Sequence, residues 1–449
     1  MPDFTPPPPV HVPIVAAIDL QRHAASLLLY QAVLQSPIAQ TFLNLLQLLA
    51  TSEPDLSCLR AYGDWFHAQA SEQLSWQEHL IGQLLTADNP FAQQAHRHQF
   101  AELAPSLVAA AQQDLRSLHQ LYRCDGTQIS QWVQAQANLL TAPIVWQPSS
   151  TTPLEPTLSL LRQQPIWAQL QISHDWGTLI EALAAHYHQF GSGVFASYRA
   201  FRWQDGQLVG IAYPDPIHLN ELVGYEQQKA TLLQNTEALL RGYPALHVLL
   251  YGSRGSGKSS LVKALLPAYG ASGLRLVEVS KAALKDLPTI VDILRNVPQR
   301  FIIFVDDLSF EEDDDAYKAL KVVLEGNLTA RPPNVVVYAT SNRRHLIREF
   351  FSDRPRPSEA DEIHQWDTVQ EKLSFSDRFG LTLTFEPVDQ TTYLEIVQHL
   401  AQQAGLAIGP QALEFRALQW ATRHNGRSGR TARQFVDFLC SETAISPTA

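Results

Sequence analysis

ALHVLLYGSRGSGKSSLVKALL, residues 245–266, runs an apolar stretch into a glycine-rich loop and then into a helical pattern. The loop has Gly252, four residues, then Gly257, Lys258 and Ser259, and this strand–loop–helix context is the one a phosphate-binding loop requires. Gly252, Gly255 and Gly257 let the backbone wrap closely, so that successive N–H groups and the helix N-terminus can face an anion. The candidate phosphate-binding residues are Gly252, Ser253, Arg254, Gly255, Ser256, Gly257, Lys258, Ser259 and Ser260. Lys258 is placed to reach the β/γ-phosphates, and the Ser259 hydroxyl is a candidate ligand for Mg²⁺.

Such a loop needs an acidic residue at the end of a neighbouring buried strand to hold the metal's water shell. FIIFVDD, Phe301–Asp307, supplies it. Asp306 is the candidate Mg²⁺ partner, and Asp307 the candidate for orienting or deprotonating the attacking water. The acids that follow, Glu311 to Asp315, read as a solvated loop and helix start, where negative charge suits the positive end of the dipole. NVVVYATSN, Asn334–Asn342, ends another apolar strand with Thr340, Ser341 and Asn342, which are candidates to reach the γ-phosphate or the water. The same residue types also make ordinary strand-end turns.

Three groups of arginines remain. Arg378 lies in EKLSFSDRFG just before the last strand pattern. A guanidinium offered there by a neighbouring subunit can neutralise charge developing on a γ-phosphate. RHNGRSGRTARQF carries Arg423, Arg427, Arg430 and Arg433 at or near the start of the last helix. The cluster Arg343, Arg344, His345 and Arg348 reads better as pairing with Glu359, Asp361 and Glu362 than as a DNA contact.

The pattern around these motifs is strand–helix alternation from about residue 218. ALHVLLYG, LRLVEVS, FIIFVDDL, NVVVYATSN and LTLTFEP are near-continuous apolar runs, as in a parallel sheet covered on both faces. Three helical patterns follow Pro387. Before residue 190 the periodicity is helical, in LLLYQAVLQ, TFLNLLQLLA, LRAYGDWFHAQASEQL and DLRSLHQLYR, with breaks at Asn89-Pro90 and Asp125-Gly126. VFASYRAFRW and LVGIAY flank Gln204–Gln207 as a hairpin. Its aromatics and arginines read as core packing rather than a stacking surface for single strands.

The chain has 449 residues, 45% hydrophobic and 17% charged, with a formal net charge of −11. That describes a folded protein and argues against one that coats nucleic acid through bulk charge. No lysine precedes Lys229, a compositional shift that suggests a domain boundary. Cys58, Cys124 and Cys440 are too far apart for a disulfide framework or a zinc knuckle. His96-Arg97-His98 and His186-Tyr187-His188 lack the spacing of HExxH, and no structural metal is expected. Without a signal-peptide layout or a membrane-length apolar run, a cytoplasmic location is expected.

In this order the motifs resemble those of AAA+ ATPases over residues of about 215 to 445. The resemblance is to Walker A at Gly252–Ser259, Walker B at Phe301–Asp307, sensor 1 at Asn342, an arginine finger at Arg378 and sensor 2 at Arg430. LNELVGYEQQKATLLQNTEALLRG looks like the box before Walker A, with Val223 and Gly224 near the adenine. More narrowly, DDLSFEE, YKALKVVLEG, YATSNRRHL and LSFSDRFG look like an uncharacterised bacterial family of predicted AAA+ proteins. The resemblance implies an α/β P-loop NTPase core with a parallel five-stranded sheet and a small helical C-terminal lid, and the helical periodicity before residue 190 adds a mainly α-helical N-terminal domain. The corresponding boundaries are a Pro-rich flexible tail at 1–14, a helical domain with a terminal hairpin at 15–213, the core at 214–388 and the lid at 389–449.

It also implies an ATPase using ATP and Mg²⁺ at sites shared between subunits of a ring or other homo-oligomer. Such an enzyme would remodel a protein or nucleic-acid client. An ATP-gated scaffold with little hydrolysis, and a DNA-associated loader, are the alternatives. Two departures stand out. Asp307 occupies the position where a glutamate is usual, one methylene shorter, leaving Glu311 or Glu312 as other candidates. ATSN stands where ATN is common, so Thr340 is a second candidate for the sensor role.

Overall fold

The computed structural model describes residues 11–51, 56–149, 156–310, 315–325, 331–342, 376–424 and 426–445. The chain divides into two compact units, Met1–Tyr198 and Arg199–Ala449.

The first unit is helical, and the sequence punctuation falls at helix starts. Ser36, Asn89 and Asp125 each accept a hydrogen bond from a backbone N–H three residues on, at the heads of helices Pro37–Leu49, Pro90–Arg97 and Gly126–Gln136. Ser75 and Glu78 form a reciprocal capping box on Trp76–Leu85. The core holds a cluster of Phe42, Trp65 and Trp76, with Phe42 stacked on Trp76 at 4.1 Å between ring centroids.

Two expectations need correction here. The first helix, His11–Ala25, starts inside the segment expected to be an extended tail to residue 14. Pro13 stands in its first turn, where a missing N–H costs no intrahelical bond. LLLYQAVLQ is not an α-helix either: the chain turns at Leu27–Tyr30 before a short 3₁₀ segment, Gln31–Leu34. The fully buried carboxylate of Asp114 accepts hydrogen bonds from the N–H groups of Leu28, Leu29 and Tyr30 at 2.7–3.0 Å, replacing the i−4 carbonyls a helix would offer.

The second unit is built on a sheet of strands β1 (Ala200–Gln204), β2 (Gln207–Gly210), β3 (Val248–Gly252), β4 (Leu274–Glu278), β5 (Arg300–Val305), β6 (Val335–Ser341) and β7 (Leu381–Phe385). Their order is β2-β1-β4-β5-β6-β3-β7. The five expected strands are β3 to β7, and every pairing among them is parallel. The sheet nevertheless has seven strands, because the hairpin assigned to the preceding domain joins it.

β1 pairs in parallel with β4 and antiparallel with β2 across a turn in which Asp205 and Gly206 both have positive φ, 51° and 79°. The alternation of β1 explains the attachment. Phe201 and Trp203 point inward at 0% and 4% exposure, while Arg202 points outward and pairs with Glu278 at 2.8 Å. The aromatics of this hairpin are therefore core, as expected. The boundary moves from residue 213 to residue 198.

Three helices, Gln390–Gln403, Pro410–Arg423 and Gly429–Ile445, form a bundle with its own buried set that includes Tyr393, Val397, Leu400, Ala417, Phe435 and Leu439. Among the described residues no helix is long and apolar enough to cross a membrane. No disulfide joins Cys58, Cys124 and Cys440.

Candidate functional site

The strand order sets the geometry: β6 stands between β3 and β5, so three neighbouring parallel strands end at one edge. β3 ends in the glycine loop, β5 in Asp306 and Asp307, and β6 in Thr340–Asn342. A Cβ on Gly252 would stand 1.9 Å from the Phe385 carbonyl oxygen, so the loop can leave β3 against β7 only as glycine. Gly255 and Gly257 have φ of 76° and 87°. The Ser253 N–H donates to the Phe385 carbonyl at 3.0 Å and fixes the loop on β7.

Lys258 opens helix Lys258–Tyr269 and is only 6% exposed. Its Nζ donates to the carbonyls of Gly252 and Ser253 at 3.0 and 2.7 Å, and lies 3.5 Å from Asn342 Oδ1. Burial lowers its pKa from the usual lysine value, against the upward pull of Asp306 and Asp307. Ser259 Oγ donates to Asp306 Oδ1 at 2.6 Å, which puts the two candidate Mg²⁺ ligands in direct contact. A hydroxyl and a carboxylate, hard oxygen donors on an open edge, fit an ion that keeps most of its own waters.

Thr340 is 2% exposed and works as a brace. Its hydroxyl donates to Asp306 Oδ1 at 2.5 Å and accepts from the Asp307 N–H at 3.0 Å. Asp307 has φ of 51°, a conformation uncommon for a residue with a side chain. Its carboxylate accepts from Asn342 Nδ2 at 2.6 Å. Asp306, Asp307 and Asn342 are all exposed. With Thr340 occupied on both sides, Asn342, the residue after β6, is the one whose side chain faces outward.

The loop, the carboxylates and Asn342 line a cavity of about 600 Å³. Val223, Gly224, Val388, Ile396 and Leu400 line the same cavity, an apolar set suited to a flat ring. Tyr225, at φ 57°, hydrogen-bonds the Glu386 carbonyl and packs 4.9 Å from Phe385. The bundle closes one wall: the Arg430 N–H donates to the Gly255 carbonyl at 3.3 Å, and the Arg430 side chain lines the cavity.

Arg378 is not brought to this cavity. It precedes β7, whose first residue Leu381 lies opposite Val248 at the start of β3, whereas the loop follows Gly252 at the far end. A five-residue strand separates the two ends by about 15 Å.

Several contributors escape the motifs. Glu221 and Arg433 both line the cavity and pair at 2.8 Å. Burial alone would raise the Glu221 carboxyl, but its hydrogen bonds and the Arg433 charge bring it below the usual value. Lys229 donates to the Leu222 carbonyl at 2.9 Å. Helix 226–240 could be recognised from its periodicity, but no spacing rule links residue 221 to residue 433. Glu311, Glu312, Arg343, Arg344, His345, Arg348, Glu359, Asp361 and Glu362 lie outside the described residues.

Residues 196–443, more than half of the chain, match the family described as Protein of unknown function (DUF815). The chain belongs to the DUF815 family. The DUF815 match starts within three residues of the structural boundary and takes in the β1–β2 hairpin. No curated protein matches the chain.

Among solved structures, the chain is similar to the Thermotoga maritima RuvB Holliday junction branch migration motor, at 17% identity over 51% of this chain and 66% of that one (TM-score 0.34). The replication initiator DnaA bound to AMPPCP and single-stranded DNA gives 15%, 51%, 66% and 0.35. The FIGL-1 AAA domain in complex with ADP gives 20%, 52%, 74% and 0.35. The matched region spans just under two thirds of the RuvB and DnaA chains. At these identities the likeness is one of fold.

Proposed function

We propose that this DUF815 protein is a Mg²⁺-dependent AAA+ ATPase whose sites are shared between copies in a homo-oligomer. One observation carries the reading: the ends of three adjacent strands bring Lys258, Ser259, Asp306, Asp307 and Asn342 to the mouth of one cavity. The glycine loop and Lys258 bind the phosphates. Ser259 and Asp306 hold Mg²⁺, which when bound neutralises charge on the phosphate oxygens. Asp307 orients the water and accepts its proton, and Asn342 aims that carboxylate. Val223 and Gly224 receive the base. Arg430 couples the state of the phosphates to the helical bundle, which acts as a lid.

Arg378, at the opposite end of its strand from the loop, serves the site of a neighbouring copy. Motion of the lid against the sheet then remodels a protein or nucleic-acid client. The test is steady-state phosphate release by the full chain. Lys258→Ala should lower turnover by about a hundredfold or more, and Arg378→Ala by about a thousandfold. Mixing the two variants should restore part of the activity. Wild-type rates in Arg378→Ala would remove the shared site.

A second reading is favoured by the geometry of Asp307. With its short carboxylate tied to Asn342 at 2.6 Å, the protein would hold ATP, change assembly state and hydrolyse slowly. Asp307→Glu separates the two: a large gain in rate favours the scaffold, and little change or a loss means that Asp307 already serves as base.

A further inference from the structure

The charged groups lining the cavity are partnered one by one, and two are left over. Asp306 accepts from Ser259 and Thr340, and Asp307 from Asn342. Glu221 holds Arg433. Lys258 is turned onto the carbonyls of its own loop, and Lys229 onto Leu222. Arg254 and Arg430 also line the cavity, are exposed, and have no side-chain hydrogen bond or ion pair among the described residues.

The two arginines are held beside each other by backbone. Arg254 immediately precedes Gly255, and the Gly255 carbonyl accepts from the Arg430 N–H. Gly255 lacks the Cβ that would stand 2.8 Å from Ser428 Oγ and 3.4 Å from Arg430 Cβ, which is what permits this approach. Both guanidinium groups are thus free to turn to an anion bound in the cavity, where attraction acts over a shorter and less screened distance than in open solvent. Guanidinium is the cation best shaped to grip phosphate through two parallel N–H groups.

We infer that Arg254 is a specificity residue that, with Arg430, grips the terminal phosphate and makes the site favour a nucleoside triphosphate over a diphosphate. The inference rests on the nucleotide-binding reading above and adds to it a cation supplied by the phosphate loop of the same chain. Lys258 and the loop N–H groups serve the phosphates that both ligands share. Arg254, at the exposed apex of the loop, contributes chiefly to the phosphate that only the triphosphate has.

The experiment is calorimetric titration of the full chain with AMPPCP, ADP and AMP in Mg²⁺ at fixed ionic strength. Wild type, Arg254→Ala, Arg254→Lys and Lys258→Ala are compared. Arg254→Ala should weaken AMPPCP by about ten- to a hundredfold, the range for a charge-assisted hydrogen bond. ADP should change by no more than about threefold, because a screened, non-contacting charge has little effect. Arg254→Lys should recover part of the loss, keeping the charge without the fork. Unchanged thermal melts would show that the exposed side chain does not support the fold. An unchanged ratio of ADP to AMPPCP affinity in Arg254→Ala overturns the inference and leaves nucleotide binding intact. If wild type binds none of the three, the nucleotide reading falls and the inference with it.

Discussion

Asp114 of the helical unit and Asp307 of the α/β unit are both carboxylates fixed by hydrogen bonds, and they are used in opposite ways. Asp114 is fully buried and accepts from three consecutive N–H groups of the turn above it. Asp307 is exposed, holds a backbone conformation that side chains seldom adopt, and is bonded through one oxygen to Asn342. The first arrangement leaves no capacity for a ligand. The second leaves an oxygen open at the mouth of a cavity. A similar contrast holds at other positions: Ser36, Ser75, Asn89 and Asp125 are spent on helix caps in the helical unit, whereas Asp306, Asp307 and Asn342 stand exposed at strand ends of the α/β unit.

The strongest way to break the comparison is to remove one carboxylate from each unit. Asp114→Ala takes the acceptor from three N–H groups, that of buried Tyr30 and those of Leu28 and Leu29 nearer solvent, and should cost about 2–4 kcal/mol of stability, at roughly 1–3 kcal/mol per orphaned group with water replacing part of the loss. ATP turnover per folded molecule should stay within about twofold, since Asp114 lies in the other unit. Asp306→Asn should do the reverse, lowering turnover by about a hundredfold or more with a thermal melt close to wild type. Denaturant unfolding and phosphate release on both variants check the pair. A large loss of activity in folded Asp114→Ala would end the division into a closed unit and an open one.

Protonation gives a smaller effect that both units share. His79 in the helical unit has its pKa lowered to about 4 by burial. His247 in the α/β unit is lowered to about 3, by burial first and then by the Arg331 charge, and its Nδ1 accepts from the Val337 N–H at 2.9 Å. Both folded pKa values lie below the unfolded value of 6.5. The unfolded chain therefore takes up protons first as pH falls, and stability declines from pH 6.5 to about 4 or 3 and is flat beyond. Each histidine contributes up to a few kcal/mol over that window. Denaturant melts between pH 7 and 4 should show the slope, and His79→Gln should reduce it, leaving the part that His247 contributes. An unchanged slope in that variant would mean that His79 does not remain neutral in the fold.

What could be recognised from sequence follows the same division. The five parallel strands, the loop and Asp306 were recognisable because phosphate and metal chemistry demands particular residues at fixed offsets. Asp114 was not, since a lone aspartate on an amphipathic helix has the pattern of a solvated residue. Neither was the turn at Leu27–Tyr30: its apolar residues have helical spacing, and only a carboxylate 84 residues away in sequence unwinds it. The hairpin was recognised as a hairpin but placed in the wrong unit. Alternation specifies which face of a strand is buried, not which sheet edge it joins. Glu221 and Arg433, 212 residues apart, meet only because the bundle folds back over the loop.

The smallest expected effect tests that hairpin. Trp203 anchors it from inside, where its Nε1 donates to Asp286 at 2.9 Å, and Arg202 pairs with Glu278 from outside, with side chains 57% and 39% exposed. An exposed pair of this kind contributes about 0–1 kcal/mol and is screened by salt, because water solvates both charges almost as well apart as together. Arg202→Ala should therefore shift the denaturation midpoint of the α/β unit only slightly, and not at all in about 1 M salt. If Arg202→Ala were instead to loosen the hairpin, seen as proteolysis near Asp205-Gly206, attachment to β4 would depend on the outer face. The inward pair Phe201 and Trp203 would then not suffice to place the first two strands in the seven-stranded sheet.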